Sequence, residues 1–184
     1  MLLFLAACHS STGPGGGLHR ADLLALARSD SADPIDQALV FRNNQTVSIT
    51  WVNSDSSQST YAVFHVIPQS VRARNDTLLA DTSTVTLTVS ATPGVFGFTL
   101  TPATVVFNIA GPPGVDISYA QYADFSVIDS SPSKYPNPAA FAQALKLYYE
   151  YAPDQWRALN TGNASNVAAS TLSQPGVYLL AAPK

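Results

Sequence analysis

Residues that most often carry chemistry are sparse in this chain of 184 residues. It has three histidines, His9, His19 and His65, and they show no HxH or HxxxH spacing of the kind that places two imidazoles on one metal ion. His65 stands inside an apolar run, where a buried or edge imidazole needs a hydrogen-bond partner. We therefore expect no metal site and no cofactor.

Nucleophiles and paired acids give no stronger signal. No Gly-x-Ser-x-Gly elbow occurs, although a Ser-His-Asp arrangement built on His65 stays open, because triads assemble in space. A glycosidase needs two carboxylates about 5–10 Å apart across a cleft. Glu150 is the only glutamate, and Asp116, Asp124 and Asp129 are more simply turn or edge residues. We expect a protein that is not an enzyme.

Aromatic residues gather in the second half of the chain and suggest a different chemistry. Exposed tyrosine and tryptophan rings can stack on the C–H face of a sugar. Strand alternation and the Pro-rich insertion leave Tyr122, Tyr135 and Tyr148 on the outside, which makes them candidate ligand contacts of a carbohydrate-binding module. The alternative is that these rings fill a core or form cross-strand pairs, as aromatic residues in β-sandwiches do.

The elements that must position these residues are strands, because apolar residues alternate with period two from Gln37 onward. Thr46, Ser48 and Thr50 point away from the apolar face of one such strand. The expected inward sets are Val47, Ile49 and Trp51; Val85, Leu87 and Val89; Phe96, Phe98 and Leu100; Val115, Ile117 and Tyr119; and Leu145, Leu147, Tyr149 and Tyr151.

Gly and Pro interrupt these short strands about every 8–12 residues and leave no room for crossover helices. The pattern predicts an all-β protein with an antiparallel, immunoglobulin-like β-sandwich over residues 37–184. The irregular, Pro-rich insertion between Asp129 and Pro138 precedes a helical turn near Pro138–Gln143. The last forty residues, from Ala144, are expected to close the sandwich with three strands.

Residues 1–36 are expected to lie outside the sandwich. Leu18, Ala21, Leu24, Ala25 and Arg28 stand at helical spacing, which predicts either a short helix or a linker with nascent helix. The SDSADP run then ends it, since the residue before a proline disfavours helix.

Charge argues against two classes of partner. Charged residues make up 11% of the chain, the net charge is -3 and the pI is near 5.4. The few Lys and Arg residues are scattered singly, so neither nucleic acid nor an anionic membrane meets a basic cluster. Such a hydroxyl-rich, weakly charged composition suits an extracellular or cell-envelope β-protein.

The segment Leu5-Ala6-Ala7-Cys8 resembles a bacterial lipobox, the end of a lipoprotein signal peptide. The resemblance implies that Cys8, the only cysteine, receives diacylglycerol and becomes the mature amino terminus. The following HSSTGPGGG run has the composition of a flexible tether. No Lys or Arg precedes the apolar run, so we expect the signal to be truncated. Lipid on Cys8 would hold the protein at the bacterial cell envelope, on the outer membrane.

Three segments together resemble the β-sandwich module of ankyrins, netrin receptors and zona occludens proteins, and its relatives in bacterial surface proteins. They are FHVIPQSV (64–71), FTLTPATVVFNIAGPPGVDISY (98–119) and the closing LKLYYEYAPDQWRALN, VAAST and GVYLLAA pieces. The Pro-rich insertion departs from the family pattern. The resemblance implies an adhesive, scaffolding or interaction role, with a protein or glycan partner and no catalytic residues. The sequence thus predicts a non-enzymatic, lipid-anchored envelope protein, with a carbohydrate-binding module as the alternative.

Overall fold

The computed structural model describes residues 17–28 and 33–184, and this part of the chain forms an all-β sandwich of antiparallel sheets. The predicted fold class is confirmed. Its strands are β1 (Leu23–Ala25), β2 (Ala27–Arg28), β3 (Gln37–Arg42), β4 (Val47–Val52), β5 (Thr60–Val66), β6 (Val71–Arg74), β7 (Thr77–Leu78), β8 (Thr84–Ala91), β9 (Gly97–Thr101), β10 (Val105–Phe107), β11 (Gly114–Ser118), β12 (Ala123–Asp124), β13 (Lys146–Ala152), β14 (Gln155–Ala158), β15 (Thr161–Ala164), β16 (Val167–Thr171) and β17 (Val177–Pro183).

Two sheets form the layers of the sandwich. The larger has the order β14-β13-β17-β9-β8-β3, with β1 also paired to β17, and the facing sheet has the order β15-β16-β11-β5-β4. A three-stranded sheet, β10-β6-β7, and the short β12-β2 pair lie outside these layers.

Aromatic rings join the two layers in the core. Phe64 of one sheet meets Phe98 of the other edge-on at 5.6 Å, and Phe98 stacks on Tyr178 at 4.9 Å. Trp51 packs edge-on against Tyr61 at 4.8 Å. The predicted inward residues of β8, β9 and β11 are all buried, because alternation assigns each strand one apolar face.

A 3₁₀ helix, Phe125–Ser130, leads into the Pro-rich insertion, which ends at helix α1, Pro138–Ala144. The predicted helical turn is confirmed. Asn137 caps α1 by accepting a hydrogen bond from the backbone N–H of Ala140 at 2.9 Å, and proline fits the first helical position because it needs no N–H partner there.

The segment 17–28 corrects the expectation of a short helix or linker. A single 3₁₀ turn, Arg20–Asp22, leads into β1 and β2. β1 pairs antiparallel with the central strand β17 in the register Leu23↔Pro183, Leu24↔Ala182 and Ala25↔Ala181. The apolar run LLALA forms a strand here because residues 181–183 of β17 supply its backbone hydrogen-bond partners. Its side chains Leu24 and Leu26 pack into the core.

Candidate functional site

A row of three polar side chains crosses the outer face of the five-stranded sheet. Ser48 on β4 and His65 on β5 are directly paired in register. Ser48 Oγ lies 3.0 Å from His65 Nδ1, and His65 Nε2 lies 3.0 Å from Asp116 Oδ2 on β11. The expectation that His65 has a hydrogen-bond partner is confirmed. Its acid partner is Asp116, which the sequence alone predicts to be a turn or edge residue.

These are the residue types of a hydrolytic triad, in which histidine takes the serine proton while the acid orients the other ring nitrogen. Acyl transfer also needs a water-excluding site with donors aimed at the developing oxyanion. The His65 and Asp116 side chains are each 42% exposed, and all three residues stand within paired strands of a sheet face. The arrangement is that of a cross-strand polar row, which stabilises a sheet by roughly 0.2–1 kcal/mol per pair.

The candidate sugar-binding tyrosines do not form an exposed platform. Tyr135 is 5% exposed and Tyr148 is 2% exposed, so the expectation that these two rings lie outside is wrong. Tyr135 packs edge-on against Phe141 at 5.2 Å and donates a hydrogen bond to the Pro183 carbonyl at 2.6 Å.

Tyr148 does point to the outer face of its sheet, as alternation predicts, but that face is covered. It belongs to a second apolar cluster that the amino-terminal segment completes, and burial raises its pKa. The buried members of this cluster are Leu23, Ala25, Tyr148, Trp156, Leu179 and Ala181, with Leu18 packed against them. Tyr151, expected in the core, is 37% exposed at the end of β13.

Tyr122 is half-buried and takes part in a charged cluster that the sequence did not reveal. The Arg28 side chain is fully buried. Its guanidinium carbon lies 5.1 Å from the ring centre of Tyr61 and 5.4 Å from those of Phe96 and Tyr122. Nη1 lies 3.3 Å from an Asp33 carboxylate oxygen.

Hydrogen bonding completes the surroundings of this buried cation. Arg28 Nη2 donates to Asn53 Oδ1 at 2.9 Å, and burial raises the pKa of Tyr61, so that the phenol stays neutral beside the arginine. A buried charge is tolerated only when it is paired and hydrogen-bonded. We therefore interpret this cluster as a structural one rather than as a binding or catalytic site. An arginine ending an apolar run was its only signal in the sequence.

The amino-terminal segment is fixed to the β13–β14 hairpin by polar contacts. Leu18 and Trp156 exchange two backbone hydrogen bonds at 2.9 and 2.8 Å. Asp154 accepts a hydrogen bond from the Arg20 backbone N–H at 2.8 Å and lies 3.1 Å from His19 Nδ1. These contacts hold the pKa of Asp154 below its usual value, with the Arg20 bond the largest cause.

Cys8 and the rest of the lipobox lie outside the described residues. Within residues 17–28 and 33–184, no group of three or more His, Asp or Glu side chains is arranged to hold a metal ion. In the same ranges there is no helix that is both long enough and apolar enough to span a bilayer.

Comparison with known proteins adds no family to this description. No family model matches the chain, and neither a curated protein nor a solved structure matches it.

Proposed function

We propose that this protein is a non-enzymatic lipoprotein of the bacterial cell envelope, anchored through Cys8 and presenting its β-sandwich as an interaction or structural module. The observation that supports it best is the position of the amino-terminal segment. Gly17 stands nine positions after Cys8, and Leu18 and β1 are held to the sandwich by backbone pairing. A lipid on Cys8 would therefore hold the sandwich close to the bilayer.

The span available between lipid and sandwich follows from chain geometry. Nine residues reach at most about 30 Å when fully extended. The sandwich would therefore lie close to the membrane surface rather than at the end of a long stalk.

The non-enzymatic part of the proposal is supported by the exposure of the Ser48–His65–Asp116 row. The His65 and Asp116 side chains are each 42% exposed, so a substrate bound at this row would stay in contact with water, whereas acyl transfer needs a site that excludes it. Covalent labelling of Ser48 by a fluorophosphonate would contradict the proposal that the protein is not an enzyme. The sugar-binding alternative loses its support with the burial of Tyr135 and Tyr148.

The lipid anchor is tested by expressing the chain in a bacterial host with a basic segment added ahead of Met1 and feeding an alkyne analogue of palmitate. We expect labelled protein in the membrane fraction and none for Cys8→Ser. A second variant, Cys8→Ser with Ser10→Cys, moves the thiol by two positions and should stay unlabelled, because the processing enzymes read the residues before the cysteine. Labelling that persists in Cys8→Ser would overturn the proposal.

A further inference from the structure

Three exposed apolar side chains lie on or next to the three-stranded sheet β10-β6-β7. Val106 and Leu78 both pair in register with Ala73 of the three-stranded sheet, and they are 43% and 70% exposed. Ile109, in the turn after β10, is 94% exposed.

Two arginines and a tyrosine complete this surface. Arg72, Val106, Ile109, Tyr151 and Arg157 line one cavity, and we call these five residues the tether-side patch. The guanidinium carbon of Arg157 lies 4.8 Å from the ring centre of Tyr151. Both arginines are exposed, so the patch combines apolar, aromatic and cationic groups.

The tether enters the fold beside this patch. A Cβ placed on Gly17 would come within 2.3 Å of the Tyr151 hydroxyl, so Gly17 lies directly against that side chain. Gly17, Tyr151 and Arg157 also line a second cavity together. The first described residue of the chain thus touches the patch.

We propose that the tether-side patch docks on the lipid surface to which Cys8 is anchored, which fixes the orientation of the sandwich; the proposal rests on the lipid anchor. Three features select a membrane as the occupant. The tether ends at the patch and cannot carry it farther than about 30 Å from the lipid. Arg72 and Arg157 do not form a basic cluster, but each guanidinium can pair with one headgroup phosphate. Tyrosine and isoleucine suit the boundary between headgroups and acyl chains.

The tether also removes the need for a high intrinsic affinity. Because at most about 30 Å of chain separates the patch from the lipid, the patch is held at a high effective concentration near the bilayer. Weak contacts from Ile109, Tyr151 and the two arginines are then enough to keep the patch engaged.

The test separates docking from natural lipidation by coupling purified, unlipidated protein through its single cysteine to a maleimide lipid. The vesicles contain phosphatidylethanolamine and phosphatidylglycerol, and hydrogen exchange is followed by mass spectrometry. We expect exchange at least fivefold slower in peptides covering 105–111 and 150–157 than in the same protein capped with a soluble maleimide. The double variant Ile109→Ser/Arg157→Gln should lose this protection.

The matched control is Ile35→Ser, since Ile35 is 74% exposed but lies at a cavity with Asp36 and Asp55; it should keep the protection. Unchanged exchange on vesicles, or protection of a different face, would overturn the proposal. Protection that appears without vesicles as the protein concentration rises would identify a second copy of the chain as the occupant, and would also overturn it. Because Cys8 is coupled chemically, none of these outcomes depends on whether the cell lipidates it.

Discussion

Asp55 shows how hydrogen bonds can fix a loop carboxylate. Tyr122 donates a hydrogen bond from its hydroxyl to Asp55 Oδ2, and Ser59 donates from its backbone N–H at 3.2 Å and its hydroxyl at 2.9 Å. These bonds, the Tyr122 bond foremost, lower the pKa of Asp55 to about 2. The same tyrosine ring lies over Arg28, so Asp55 is linked to the buried cation through one side chain.

The lowered pKa of Asp55 predicts a pH dependence. A folded-state pKa below the ordinary value of 3.8 means that ionised Asp55 stabilises the fold above about pH 4 and that this contribution is lost as the pH falls toward 2. We expect Asp55→Asn to lower the free energy of unfolding at pH 7, with the gap to wild type narrowing between pH 4 and pH 2. Urea unfolding at fixed pH values measures the gap.

The Tyr122→Phe background provides the control for Asp55. There Asp55→Asn should cost less than in wild type, because the largest hydrogen bond to the carboxylate is already absent. A gap that stays constant from pH 7 to pH 2 would show that the carboxylate charge contributes nothing to stability.

At the same scale, the sequence predicted that His65 has a polar partner but not which one. Ser48 and Asp116 are 17 and 51 positions away in the chain. Their meeting depends on the registers of β4 and β11 against β5, and a period-two pattern does not specify which residues lie opposite each other.

Among the elements, β1 and the residues next to it pack against both apolar clusters of the molecule. Leu26 is completely buried between the apolar core and the backbone of β17, with its N–H donating to the Leu180 carbonyl at 2.9 Å. Leu24 lies in the same core, whereas Leu23 and Ala25 cover Tyr148 on the opposite face. The segment therefore serves two apolar clusters at once.

Truncating Leu26 tests whether this segment belongs to the sandwich. We expect Leu26→Ala to lower the free energy of unfolding by about 2–5 kcal/mol, as a buried leucine does. Ile35→Ala, at an exposed site a few residues away, should change it by less than about 0.5 kcal/mol. Chemical denaturation of both variants measures the difference. Equal and small effects would mean that the segment is a linker after all.

Sequence reasoning succeeded for strands with clear alternation and failed where another element covers a face. The inward faces of β8, β9 and β11 match their predictions, and so does α1 with its proline at the first turn. Alternation assigned Tyr148 to the correct face of β13. It could not reveal that a strand from the other end of the chain lies over that face. The run LLALAR fits both helical and extended spacing, and only its partner β17 decides between them.

For the whole molecule, β17 is the strand that completes the larger sheet, because three other strands pair with it. It pairs with β13 along one side and with β9 and then β1 along the other. Five consecutive residues, Tyr178 to Ala182, are at most 2% exposed. The described chain thus has its first and last strands side by side in the larger sheet.

Deleting residues 177–184 should therefore abolish cooperative folding rather than weaken it, since three strands lose their partner together. Circular dichroism with urea titration and the dispersion of amide proton signals measure the loss. Deleting Lys184 alone is the control and should leave the transition cooperative, because β17 itself ends at Pro183. A cooperative transition in the longer deletion would contradict this role of β17.

The adjacency of β1 and β17 also sets the time at which folding can finish. The Leu23↔Pro183 pair closes a loop of almost the whole chain, and such distant contacts are slow to form because the entropy of loop closure is lost first. During synthesis, the β1–β17 pairing cannot form until the residues of β17 have been made. The chain would remain incompletely folded until its final strand has emerged, and only then would it form the complete sandwich.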